Sequence, residues 1–222
     1  DCLAQGTALG RSVLMVGEHA LVEQLGARAK GAPLLVESKQ KFSVPFSFPS
    51  IALNKFSVKG FNELYFAKAP RKADDIVDYD SFFYPLDGIH HWNRIYGSRG
   101  FTQYQCVFPL SNSYEGIKRI LETISKRGQG SFLAVLKLFG KQDGLMSFPM
   151  EGYTLALDFP INRKLFPLLC ELDEITQVLG GRLYLTKDAR MDSSFFEASY
   201  AGVLDGFKQT KFMLDPYGKF QS

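Results

Sequence analysis

Apolar positions along this chain recur at two periods, and the switches between them mark out its elements. In Phe101–Pro109, Thr102, Tyr104 and Cys106 alternate with Gln103 and Gln105, which predicts a strand with unlike faces. Tyr153–Phe159 alternates likewise, with Tyr153, Leu155, Leu157 and Phe159 against Thr154, Ala156 and Asp158. Phe132–Phe139 is apolar on both faces apart from Lys137 and reads as a third strand, and Gly181–Thr186 as a fourth. Between them the period lengthens. Ser113–Gly128 places Ile117, Ile120, Leu121 and Ile124 inward and Glu115, Lys118, Arg119 and Glu122 outward, with Ser113 as the cap, which predicts an amphipathic helix. Asn162–Leu179 is a second helix, accepting Pro167 as an early-turn residue and closed by Gly180. Phe195–Phe207 is a last helix, interrupted at Gly202.

The first third is less regular. Arg11–Val16 reads as a short strand, followed by a charged helix-like piece and a Pro- and Ser-punctuated stretch from Gly31 to Pro49. Ile51, Leu53, Phe56, Phe61, Leu64 and Tyr65 then approximate a helical face, with Ser50 as the cap and an end before Pro70. Arg71–Asp75 is a polar linker, so residues 1–70 divide from 71–222. The Gly- and Pro-bearing loop from Phe139 to Tyr153 is too short for the crossover that parallel pairing demands. The expected fold class is therefore α+β, an antiparallel sheet flanked by helices.

Composition narrows the functions more than it names one. The 222 residues are 45% hydrophobic with a formal charge of +3, and no basic run is interleaved with aromatics. That is a normal core and a poor match to nucleic acid. Cys2, Cys106 and Cys170 form no CxxC pair, which argues against a disulfide framework and a metal site and for a reducing, cytoplasmic setting. No apolar stretch approaches the roughly 18 to 20 residues that span a bilayer. His90 and His91 are neighbours whose side chains diverge, and we read them as loop residues. Phe42, Phe46 and Phe48 either fill a core or face a lipid or partner domain.

Three places hold candidate chemistry. Lys187 ends a strand in an apolar sheet, where a cation is costly unless something anionic or electron-rich faces it; the bland alternative is a surface pair with Asp188. Gln103 and Gln105 share a face and can donate to and accept from the hydroxyls of a polyol, or that face is merely solvated. Lys137 either snorkels from a sheet edge or meets an anion, and Thr154 and Ala156 are small enough either to leave room for a ligand or to pack closely.

The closing segments Gly180–Asp188 and Lys211–Phe220 resemble the C-terminal end of FAD-linked oxidases of the vanillyl-alcohol-oxidase superfamily, in which a strand leads to a lysine and the chain closes on Asp-Pro. The resemblance continues in order through Leu9–Ser12, Phe61–Tyr65, Tyr84–Asp87, Trp92–Gly97, Gly100–Gln105, Ser131–Leu133, Lys137–Gly140, Ser147–Pro149 and Asp158–Pro160. Within the superfamily it is similar to the branch acting on polyprenylphosphoryl ribose, and related to arabinono-1,4-lactone oxidases. It implies the substrate, or cap, domain of an enzyme that oxidises a secondary alcohol of a sugar by hydride transfer to flavin N5. On that resemblance Lys187 is catalytic, as base or as charge stabiliser, Tyr184 and Lys187 meet the cofactor FAD, and Gln105, Gln103, Lys137, Thr154 and Ala156 bind substrate. It further implies that FAD is held mainly by an upstream domain, with 1–70 leading out of it, so that this stretch alone is inactive. The implied partners are a sugar or sugar-lipid substrate, the chain's own N-terminal FAD domain, an epimerase or reductase, and a membrane surface touched peripherally. Two alternatives stand beside it: an aldonolactone or alditol oxidase, and a non-catalytic binding module of the same descent. Consistent with an upstream cofactor domain, no Gly-x-Gly-x-x-Gly follows a strand and no Walker loop is present. Thr154 and Ala156 stand where the ribose-oxidising branch has Asn and a reactive Cys, a departure that bears on the substrate.

Overall fold

The structure, a computed structural model, describes residues 1–35, 42–49, 52–69, 75–84, 86, 88–187 and 190–220. Its contacts divide the chain into two units, Ser12–Gly100 and a second made of Asp1–Arg11 with Phe101–Ser222. The junction expected at residues 70 and 71 lies outside the described residues, as do Ser50 and Asp188.

In Ser12–Gly100 the elements are α1 (Ala27–Lys30), β1 (Phe42–Ser43), α2 (Lys55–Lys68), α3 (Tyr79–Phe83) and β2 (Ile89–His90). Residues 11–16 carry no strand, contrary to the sequence reading; strand propensity without a neighbouring ladder forms none. The helix expected from Ile51 begins at Lys55 instead. Asn54 caps it by accepting from the backbone N–H of Phe56 and Ser57, while Ser57 Oγ accepts from Asn54 N–H, so a reciprocal capping box fixes the start. Of α2 only Val58 is buried, and Phe56, Phe61, Leu64 and Tyr65 are exposed. β1 and β2 pair in parallel, Phe42 with Ile89 and Ser43 with His90, so His90 belongs to a strand rather than a loop. Phe42 and Phe46 are exposed, and the Phe46 ring lies 6.1 Å from Phe48.

The other unit has the α+β architecture expected. Its elements are β3 (Phe101–Pro109), α4 (Ser113–Arg127), β4 (Leu133–Phe139), β5 (Gly152–Pro160), α5 (Leu165–Val178), β6 (Arg182–Leu183), α6 (Ser193–Tyr200) and α7 (Leu204–Leu214). The strands form one antiparallel sheet in the order β4-β5-β3-β6. Tyr104, Cys106 and Phe108 of β3 and Leu155, Leu157 and Phe159 of β5 join Ile120 and Ile124 of α4 and Leu165, Leu168, Leu169 and Leu172 of α5 in one core. Each fully buried aliphatic side chain there contributes about 1.5–3 kcal/mol.

Asn112, not Ser113, holds the N-cap position of α4. The Ser113 hydroxyl lies 3.0 Å from Phe108 O and 2.9 Å from Pro109 O and accepts from Tyr153 N–H at 3.1 Å, so it ties the helix to β3 and β5. Gly128 ends α4 in the left-handed conformation at φ 63°, where a side chain would be strained. Pro167 occupies the first turn of α5. Beyond Leu183 the expected strand stops early. Tyr184 N–H still donates to Gln105 O at 3.0 Å, and then Lys187 N–H turns back to Tyr184 O at 3.1 Å. The last predicted helix is two helices, broken at 201–203 around Gly202. Among the described residues no helix is long and apolar enough to cross a membrane.

Candidate functional site

Strand parity and register together build the site. Across the sheet, Leu133 of β4 and Gln103 of β3 flank Asp158 of β5, Val135 and Gln105 flank Ala156, and Lys137 and Val107 flank Thr154. Successive residues of a strand face opposite sides, so these nine share the face turned away from α4 and α5. All of them but Val107 border a cleft of about 190 Å³ whose lining includes Gln103, Gln105, Lys137, Thr154, Ala156, Asp158 and Lys187. Six of those seven were singled out from the sequence. The turn after β6 delivers the last of them, because Tyr184 is still pinned to β3 when the chain folds over.

The polar groups here are linked rather than scattered. Lys187 Nζ donates to Gln103 Oε1 at 2.9 Å, and Gln103 Nε2 donates to Asp158 Oδ1 at 2.9 Å. Lys187 is half-buried, and Asp158 is only 2% exposed, a depth at which a carboxylate needs donors. Two positions along β3, Gln105 Nε2 donates to Thr154 Oγ1 at 3.2 Å, and that hydroxyl donates to Cys106 O at 2.8 Å. Lys137 lies on the edge strand with an exposed side chain, so the snorkelling geometry and a place on the cleft rim hold together. Lys187 Nζ also lies 5.8 Å from the centroid of the Tyr184 ring, which stacks on Phe148 at 4.5 Å.

Beneath this wall a second polar group is structural in character. The Tyr104 hydroxyl meets Thr176 Oγ1 at 3.0 Å, and Arg190 pairs with Asp173 at 2.7 Å while donating to Leu169 O at 3.0 Å. Burial raises the Asp173 carboxyl above its ordinary value, and the Arg190 guanidinium opposes the shift. Among the described residues no cluster of His, Cys, Asp or Glu could hold a metal ion.

Sequence reasoning missed Asp158 and Phe148 as parts of the site. Asp158 was legible, since it shares the period-two face with Thr154 and Ala156. Phe148 carried no such signal, because it lies in a loop.

No family model matches the chain. It is, however, 35% identical over its whole length to decaprenylphosphoryl-beta-D-ribose oxidase of Mycolicibacterium smegmatis, of which it covers 48%. The chain is a homologue of part of that oxidase. It is also 30% identical to an uncharacterized protein in the mprA 5'region of Streptomyces coelicolor, again over its whole length and covering 62% of that protein. The chain thus spans about half to three fifths of the curated relatives it matches. The similarity to the first is consistent with the C-terminal region of an FAD-linked oxidase.

Proposed function

We propose that this chain is the substrate-binding part of an FAD-dependent oxidoreductase that oxidises a secondary alcohol of a sugar, with a lipid-phosphate-linked ribose as the first substrate to test. The observation that carries the reading is the Lys187 ammonium, held by Gln103 at the border of a cleft that also gathers Gln105, Lys137, Thr154 and Ala156. Similarity to an oxidase named for a decaprenylphosphoryl ribose adds to it.

The residues fit one edge of a flavin and no more. A cation beside the Tyr184 ring suits the side of an electron-accepting ring that gains negative charge. A cleft of about 190 Å³ is smaller than the pockets of roughly 300–1,000 Å³ that enclose whole ligands, and the sequence has no glycine-rich dinucleotide turn. FAD, when bound, would supply the acceptor for the hydride. Lys187 Nζ, fixed as a donor, stabilises negative charge at that edge. Gln105 directs one N–H of its amide at Thr154, which orients its carbonyl oxygen to accept from a sugar hydroxyl. Lys137, free to move at the rim, meets a phosphate or an outer sugar oxygen. Ala156 and Thr154 leave the sugar its space between the two amides. A ketone product calls for a reductase acting next, which is the partner class this reading favours.

The test uses the full-length protein. It should be yellow, and its colour should bleach anaerobically with a polyprenylphosphoryl sugar and not with free lactones. Bleaching with lactones alone would favour the aldonolactone or alditol oxidase, and a colourless protein the binding module. Lys187→Ala should lower kcat by about 10²–10³-fold with little change in KM. An equal loss in the exposed control Lys141→Ala would overturn the assignment.

A further inference from the structure

We infer that Asp158 is a positioning residue for Lys187, acting through Gln103: the buried carboxylate fixes which end of the amide faces the ammonium. This goes beyond the reading above and, for its effect on turnover, rests on it. The argument is one of donors and acceptors. A carboxylate only accepts and an ammonium only donates, whereas an amide does either according to which way it is turned. With Asp158 Oδ1 on one side and Lys187 Nζ on the other, each at 2.9 Å, a single orientation of the Gln103 side chain satisfies both. The reversed amide would set N–H against N–H and oxygen against oxygen. Gln103 is itself only partly buried and has a long side chain with freedom to lose. Asp158, 2% exposed and opposite it in the β3–β5 ladder, is held by the sheet. Its backbone is held too, for Asp158 N–H donates to Ser131 Oγ at 2.9 Å and that hydroxyl lies 3.1 Å from Asp158 O. The rigid member of the relay is therefore the carboxylate, and the half-buried cation is tied to it through one amide.

The charges also balance along the relay. A half-buried ammonium and a buried carboxylate stand one amide apart. A direct pair would occupy the ammonium's donors with the carboxylate. An amide spacer leaves the remaining donors of Nζ for whatever enters.

The test is residue-resolved amine labelling of the full-length protein, read by mass spectrometry, with kinetics alongside. Asp158→Asn, whose side chain presents either a donor or an acceptor, and Gln103→Met, which removes the link, should each speed labelling of Lys187 by about three- to ten-fold, the factor that the net worth of one hydrogen bond sets. Lys137, on the same cleft, should label at an unchanged rate in both. Both variants should lower kcat by about ten-fold with KM changed less than about two-fold. Should Asp158→Asn melt below the assay temperature, Asp158→Leu replaces it, since an apolar near-isostere needs no buried partner. Unchanged Lys187 labelling in a folded Asp158 variant would overturn the inference, as would labelling that rises equally at Lys137. The two readings fail separately: faster Lys187 labelling in the variants of a full-length protein that proves colourless leaves the relay standing and removes the oxidase reading.

Discussion

Cys106 is fully buried between β3 and its covering helices, and burial pushes its thiol up to about 12; Cys2 in the same core is pushed up to about 11. Because the thiolate is the reactive form, neither should meet a thiol reagent in the folded protein, whereas Cys170 is exposed. Titration with a disulfide reagent at about pH 8 should therefore count one fast thiol in the native chain and three in denaturant. The same burial fixes a pH dependence. Each thiol ionises near 9.0 once unfolded and well above it when folded, so above 9.0 the unfolded chain holds fewer protons and stability falls with rising pH. Tyr104 adds to the trend, since burial raises its phenol well above 10.0 against the opposing hydrogen bond to Thr176. The stabilisation is fully present below 9.0 and is lost as the pH rises through about 11 and 12. Melting temperatures followed from neutral to alkaline pH should decline beyond 9.0, and a flat profile would contradict the buried placement of these groups. At the cleft wall the lesson differs: Lys187, Gln105 and Lys137 were legible by residue type, but the carboxylate linked to Lys187 through Gln103 was passed over because Asp158 looked like one member of a motif.

Helix α4 shows how an element's own propensity and its packing oppose each other. Gly116 lies in its second turn, and a Cβ added there would come within 2.6 Å of the Phe108 ring, itself fully buried. Gly116→Ala should cost about 1–3 kcal/mol through overpacking, outweighing the gain of up to about 1 kcal/mol from helix propensity. Gly60 in α2 has nothing within 4 Å of the same position. Gly60→Ala should leave stability unchanged or raise it by about 0.5–1 kcal/mol, and urea midpoints of the two variants check the contrast. The periodic pattern found both helices, yet it spoke truly of α4 and misleadingly of α2, where Phe56, Phe61, Leu64 and Tyr65 stand exposed. A period reports that a face exists, and only a partner surface decides whether it is covered. β6 illustrates the same limit: Leu185 and Thr186 have strand-like composition, but the chain turns after Tyr184 and the ladder ends.

At the scale of the whole molecule, α4 and α5 cover β3 and β5 on one sheet face, and the opposite face lines the cleft. That division lets a core and a site share two strands, β3 and β5, without either intruding on the other. The chain supplies a charged, amide-lined wall, and it lacks a glycine-rich turn that would cradle a dinucleotide. Residues 1–222 expressed alone should accordingly carry no stoichiometric flavin spectrum, and the full-length protein should carry one. A yellow 222-residue product would contradict the proposed division of labour.

By itself the sequence determined which side chains share a face, because periods of two and of 3.6 are local backbone geometry that any single segment displays. Thr154, Ala156 and Asp158 had to lie together, as did Gln103 and Gln105. Tertiary structure alone decided that these two sets are neighbours in register, and that a lysine 84 residues further on closes against Gln103. Register between distant strands and the landing point of a turn follow from the packing of the entire core, and no local pattern in the chain encodes them.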